Sequence, residues 1–517
     1  MSFIDELKRT LEEDFNLSVT ENGALGYRTT CNALLDMNFA VSSFRNCTEE
    51  NVKRYFVKAF YENKLLAVLW LFFAGDVRGG LGERRLFKIG MKFLAESEPK
   101  IAERLLPLVA EYTRWDNLLP LLETGLKDAV CALLKKQLDA DVKDMKNGRS
   151  ISLCAKWMPS ANATSLKTKA YAKMLIKAWG ITEKEYRKTL ASLRAYSDVI
   201  EVKMSKKAWG EINYETVPSR ANLLYANSFL RNDKARRDQF LKKLEQGEAK
   251  INAGVLFPHD IVNKYIGRDS FWPDLCPYDE TLEALWKALP DYVQGQSDTI
   301  CVADGSGSMT SRVGQTNISA LDVANALAVY FSERSSGPFK DRYITFSRNP
   351  QFVDFSHCKS LHDKLGVALS HDEAEDTNIE AVFNLILKTA INGKMSQSDL
   401  PRNILILSDM EFNACAVSSR FGNDVNTPQF KRLFEVIGER YEKHGYKLPR
   451  LVFWNICSRS NTVPLKENKL GVALVSGFSP IVVNMVLSGK IDPLECLLEQ
   501  LASERYAPVL ESVRDLV

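Results

Sequence analysis

The sequence is poor in the features that mark whole classes of protein. Its ten cysteines, at positions 31, 47, 131, 154, 276, 301, 358, 415, 457 and 496, include no CxxC pair, so neither a zinc knuckle nor a disulfide framework is encoded. They read as small buried hydrophobes of a reducing compartment. The longest apolar run, residues 65–75 (LLAVLWLFFAG), is too short to cross a bilayer, and the start MSFIDELKRT lacks the basic and apolar regions of a signal peptide. A soluble, cytoplasmic, monomeric protein with no membrane partner is therefore expected. Histidines are few: five, at 259, 357, 362, 371 and 444, none in an HExxH motif. No Walker loop, Ser-His-Asp pattern or phosphate-cradling glycine loop appears, so the chain is not read as an enzyme. Disorder is excluded too, because 45% hydrophobic and 26% charged residues over 517 positions suffice for two or three ordinary domains.

Carboxylates are missing from one long stretch. The net charge of +3 hides a segment, residues 131–250, with 25 Lys and Arg against 13 Asp and Glu, which leaves the remainder of the chain at −9. Within it, residues 145–182 carry Lys146, Arg149, Lys156, Lys167, Lys169, Lys173 and Lys177 and no acid at all. A solvated face normally mixes signs, so this stretch calls for an anionic partner.

From about residue 49 to residue 290, apolar positions recur at three and four and are broken by glycine and proline, the pattern of short packed helices. Element length points to a HEAT-like repeat array, with a compact bundle as the alternative. After Pro290 strands alternate with helices: 298–304, 342–347, 402–409 and 450–457 read as strands, and 319–334, the segment after Thr377 and 429–444 as helices. Apolar strands each followed by a helix specify a mostly parallel, doubly wound α/β sheet. The division expected is 1–295 helical and 296–517 α/β.

The first strand of the α/β region runs directly into Asp304-Gly305-Ser306-Gly307-Ser308. In open α/β sheets ligands bind at the carboxyl ends of strands. A hard divalent cation such as Mg²⁺ takes oxygen ligands, and a carboxylate with two hydroxyls on one tight loop supplies part of its shell. Thr377, opening a helix, and Asp409, ending a strand in LILSDMEF, are placed to supply more. Taken in this order, DxSxS, Thr and Asp resemble the metal-ion-dependent adhesion site of von Willebrand factor A domains. The resemblance implies that Ser306, Ser308 and Thr377 touch the metal, that Asp304 and Asp409 act largely through water, and that an acidic protein ligand completes the coordination. Gly305 departs from the β-branched or apolar residue common at that position.

A helical array with a basic middle, followed by such a domain, resembles the Ro autoantigen (TROVE) family. LFPHDIV (256–262), DETLEALWKALP (279–290), CVADGSGSM and LSDMEF are similar to Ro segments, while GGLGER (79–84) and RWDNLLPLL (114–122) are similar to stretches of a poorly characterised Ro-like family. The resemblance implies a ring of helical repeats that binds single-stranded or misfolded RNA ends, and a small structured RNA, in a ribonucleoprotein. AKWMPS (155–160) resembles a Ro loop at the RNA surface, which implies a role for Lys156. The competing class is a protein-interaction adaptor whose metal site grips a partner's carboxylate.

The residues themselves point the same way. On a helix over 166–179, Lys169, Lys173 and Lys177 fall one turn apart on one face and could track phosphates, while Tyr171, Leu175 and Trp179 line the opposite face. The plainer reading of that stripe is a solvated face. Trp157, beside Pro159, is a candidate for base stacking; Tyr186, Tyr196 and Trp209 read as packing residues.

Overall fold

The structure, a computed structural model, describes residues 15–197, 199–267, 274–294, 298–314, 316–346, 349–371, 378–413, 433–482, 485 and 490–517. A mostly helical region precedes a mixed sheet of six strands. The compact units do not divide at residue 295: one comprises Met1–Glu62 and Leu256–Ala502, the other Asn63–Val255 and Ser503–Val517. Among the described residues no helix is long and apolar enough to cross a membrane.

The first unit opens on a small hairpin, β1 (Leu17–Val19) with β2 (Leu25–Tyr27), and has a second, β3 (Ile266–Gly267) with β4 (Asp274–Leu275). Its main sheet contains β5 (Thr299–Asp304), β6 (Arg342–Phe346), β7 (Gln351–Asp354), β8 (Asn403–Ser408), β9 (Arg450–Asn455) and β10 (Val472–Ser476), in the order β10-β9-β8-β5-β6-β7. All neighbours run parallel except β6 and β7. Every residue of β5, β8, β9 and β10 is buried, which is why these strands read as continuous apolar runs rather than alternations. β7, at the edge, has only Val353 buried. Helix Ala320–Arg334 lies against β5, β6 and β8; it begins at a capping box between Ser319 and Asp322 and is buried over nearly its whole length.

Segments outside 296–517 complete this unit. Helix Ala33–Ala40 packs on β10, and Asn455 at the end of β9 donates from Nδ2 to Phe39 O at 2.8 Å and accepts from Ser42 Oγ at 3.1 Å. Glu283, on helix Glu280–Lys287, is buried and accepts from the Leu361 and His362 amides at 2.9 and 3.0 Å, placing its charge at the N-terminus of helix Leu361–Ser370.

In the helical unit, Lys64–Gly75 packs on Arg84–Ser97, which packs on Pro99–Tyr112. The 3-10 helix Trp115–Glu123 contacts Arg84–Ser97, Lys127–Lys146, Cys154–Trp157 and Leu166–Trp179. The chain returns at its end: helix Ala507–Val513 lies on Lys64–Gly75 and Pro99–Tyr112. Asp76, fully buried at the C-terminal end of helix Lys64–Gly75, accepts Arg505 Nη2 at 2.7 Å and Tyr506 Oη at 3.2 Å, so its charge is neutralised from the segment Ser503–Val517.

The nine described cysteines are unbonded. Five are buried, as expected of small hydrophobes, but Cys31 is exposed and Cys47, Cys276 and Cys358 are half-buried.

Candidate metal centre and nucleic-acid interface

β5 and β8 are the adjacent central strands from which the chain leaves in opposite directions, β5 toward β6 and β8 toward β9. A crevice at the carboxyl ends follows from that reversal. Asp304 is the last residue of β5 and Asp409 follows the last residue of β8. Asp304 accepts Ser408 Oγ at 2.6 Å on one oxygen and the Ser306 amide at 2.9 Å on the other. The hydroxyls of Ser306 and Ser308 are 3.0 Å apart. Asp409 Oδ1 accepts the Glu411 amide at 3.2 Å. Its Oδ2 is buried, accepts no hydrogen bond of ordinary geometry, and is faced by Arg459 Nη2 at 3.4 Å. Both acids are about 1% exposed.

Burial pushes the Asp304 carboxyl well above the usual carboxylate range, and the charge of Asp409 adds to it, against hydrogen bonds from Ser408 and Ser306. Burial raises Asp409 as well, against Ser308, the Glu411 amide and Arg459. Two desolvated carboxylates beside two hydroxyls, with Asp409 Oδ2 met only by the Arg459 guanidinium, make an all-oxygen set of the kind a hard divalent cation takes, though one that a cation would have to share with Arg459. Of the five residues singled out in the sequence, the structure brings together Asp304, Ser306, Ser308 and Asp409; Thr377 lies outside the described residues. The helix after it starts at Ile379, where Asn378 caps the Ala381 amide at 3.0 Å. Among the described residues no group of three or more His, Cys, Asp or Glu side chains that could hold a metal ion gathers, here or elsewhere, so any cation at this crevice would depend on the hydroxyls as well as the two acids.

Ser408 and Arg459 were not foreseen. Ser408 had a signal, since it directly precedes Asp409 at the end of an apolar strand. Arg459 had none, because only the parallel pairing of β8 with β9 brings the loop after β9 beside Asp409.

In the helical unit the predicted helix forms as Leu166–Trp179, with Ser165 capping the Thr168 amide and Gly180 ending it at φ 62°. Tyr171 and Leu175 are buried, and Trp179 donates to Cys131 O at 2.9 Å. Lys173 and Lys177 are exposed and Lys169 half-buried, and none of the three forms an ion pair among the described residues. Lys146, at the end of Lys127–Lys146, is likewise exposed.

The other basic candidates are engaged. Arg149 donates to Asp144 Oδ1 from Nε at 2.9 Å and Nη2 at 2.5 Å. Lys156 lies 3.7 Å from Glu201 and lines a cavity of about 450 Å³ with Arg194, Val199, Val202, Ser205 and Lys206. Asp144, directly before the carboxylate-free stretch, and Glu201, nineteen residues after it, thus fold back onto it. Trp157 does not sit in an open loop: it ends the one-turn helix Cys154–Trp157 and carries the Arg114 guanidinium 3.8 Å from its ring centroid. Tyr186 is buried with its hydroxyl on Pro159 O at 2.7 Å, and Trp209 packs edge-on against Phe229. Tyr196 is 40% exposed and donates to Arg149 O at 2.9 Å.

Two domains of unknown function match the chain, DUF2828 over residues 124–297 and DUF7788 over residues 298–506. The chain is 28% identical to "Uncharacterized protein L728" of Acanthamoeba polyphaga mimivirus, an alignment covering 96% of this chain and 89% of the viral one. Among solved structures it is similar to the RO (RSR) protein of Deinococcus radiodurans, with a TM-score of 0.44 and 15% identity over 88% of this chain and 92% of that one.

Proposed function

We propose that this protein binds RNA through its helical unit, taking single-stranded or misfolded ends and a small structured RNA into a ribonucleoprotein, and that its α/β unit is a von Willebrand A-type domain holding Mg²⁺. The observation that carries the RNA reading is the stripe Lys169, Lys173 and Lys177: three ammonium groups one turn apart on a formed helix, with no carboxylate paired to them among the described residues. The segments similar to the TROVE family support it, and in that reading the helices form a HEAT-like ring. The cation would be held by Asp304, Ser306, Ser308 and Asp409 with Thr377; when bound it would neutralise two buried acids and offer a Lewis-acid position to an acidic protein ligand.

The test is RNA affinity across a salt series for the wild type and for Lys169, Lys173 and Lys177 replaced together by Gln. The salt slope should fall by about two units, because each single-strand phosphate contact contributes roughly 0.7. An unmoved slope makes the stripe a solvated face. Loss of calorimetric Mg²⁺ binding in Asp304→Ala, with RNA binding retained, is expected for the cation. If the wild type binds no RNA at low salt while Mg²⁺ still binds, the adaptor class takes its place.

A further inference from the structure

A second gathering of positive charge in the helical unit is built from residues that precede the basic segment. Arg84 and Lys88 lie one turn apart on helix Arg84–Ser97, and Arg114 stands just before the 3-10 helix Trp115–Glu123 packed against it. A single carboxylate holds the two guanidiniums: Asp116 Oδ2 accepts Arg84 Nη2 at 2.9 Å and Arg114 Nη2 at 2.7 Å, and its Oδ1 accepts Arg114 Nε at 3.0 Å. The Trp157 ring backs Arg114. Asp116 is thereby used up, and the cations are not. Nη1 of Arg84, Nη1 of Arg114 and Nζ of Lys88 donate to no group among the described residues, and Arg84 Nε is buried without a hydrogen bond. Lys88 is half-buried, so its charge is already partly stripped of water. Burial lowers the pKa of Lys88, and the charges of Arg84, Arg114 and Lys167 add to this against the pull of Asp116. Burial lowers Arg84 in the same way, against the charge and hydrogen bond of Asp116, with Arg114 and Arg220 adding to the lowering.

Like charges held together with too little counter-charge are the mark of a site that an anion completes. Two fixed guanidinium forks plus one ammonium suit an oxyanion with several acceptors. The helix bearing the lysine stripe packs on the same 3-10 helix, Trp115–Glu123, that carries Asp116, so both cationic features share one support. That continuity favours an extended polyanion over a small one.

We propose that Arg84, Lys88 and Arg114 bind a backbone phosphate of single-stranded RNA, with Asp116 and Trp157 positioning the two guanidiniums. This rests on the RNA-binding reading above and adds a contact that reading does not contain. The experiment is fluorescence anisotropy of a fluorescein-labelled 20-nucleotide oligouridylate across a salt series. Lys88→Gln, which breaks no hydrogen bond, should leave the melting temperature unchanged and lower the salt slope by up to about 0.7; adding Arg84→Gln should weaken binding further while the total loss of slope stays near 0.7, because one phosphate is contacted. Lys88→Arg should restore the wild-type slope. If the wild type binds and the stripe variant is weakened, but both cluster variants behave as wild type, the proposal falls while the RNA reading stands. If the wild type binds no oligouridylate, both fall. A third arm adds pyrophosphate: if it stabilises the wild type but not Lys88→Gln while RNA binding stays unchanged, the cluster serves a small phosphorylated ligand and the proposal is overturned.

Discussion

Glu411 keeps its charge where no solvent reaches it. One oxygen accepts Ser458 Oγ, Ser460 Oγ and the amides of Arg459 and Ser460 at 2.8–3.0 Å, and the other accepts the Glu21 amide at 2.8 Å. Burial alone would raise its pKa, but these donors outweigh it and hold the carboxyl below its ordinary value. With the folded value depressed, the stabilisation is complete above the unfolded value and fades as pH falls through the folded one. Glu411→Gln should therefore cost about 2–3 kcal/mol at neutral pH, and less in the acid range, as chemical denaturation at several pH values would show. Arg459 leads to the opposite expectation for ligand binding. It pairs with Oδ2 of Asp409 at 3.4 Å, so it would compete with any cation for that charge. Arg459→Ala should tighten Mg²⁺ by about tenfold in calorimetry, since one opposed pair near a protein surface is worth a few kcal/mol before screening. Asp304 and Asp409 were legible because a carboxylate at the end of an apolar strand has a recognisable place. The partners of Glu411 were not: they come from residues 458–460 and 21, and no local pattern connects them.

At the scale of elements, the loop GGLGER, noted in the sequence only for its similarity to a Ro-like family, has a structural part. A side chain on Gly80 would place Cβ 1.8 Å from Phe73 O, and one on Gly79 would meet Arg505. The loop closes tightly over Asp76, whose carboxylate also accepts the Arg78 amide at 2.9 Å. Gly80→Ala should destabilise the helical unit by roughly 3 kcal/mol, because the obstacle is backbone that cannot swing away; thermal melting by circular dichroism would measure it. Helix Leu166–Trp179 and strands β5, β6, β8 and β9 were visible as periodicity and apolar runs. β7 and β10 were not. β7 is four residues at an edge, and β10 is a five-residue run with no helix pattern directly after it, so each borrows its identity from the strand it pairs with.

For the whole molecule, the grammar change near residue 290 is real, but compactness follows long-range pairing rather than grammar. Residues 1–295 and 296–517 made as separate fragments should each lack a cooperative melt, whereas the full chain shows one. The first would carry helix Ala33–Ala40 without β10 and the helical unit without residues 503–517; the second would leave Asn455 without Phe39 and Ser42. Differential scanning calorimetry of the three proteins decides this, and a cooperative transition in either fragment would show that the interleaving is dispensable. The tie between Asp76 and Arg505 has a consequence in time. Its two ends are separated by 429 residues. At roughly 5–20 residues per second, a ribosome takes some tens of seconds to travel from one to the other. During that interval the helices are made but the buried acid has no guanidinium opposite it, so the helical unit reaches its final form only after residue 505 has been made. A message truncated just short of residue 505 would carry every helix from Lys64 to Glu245 and still leave Asp76 without its partner.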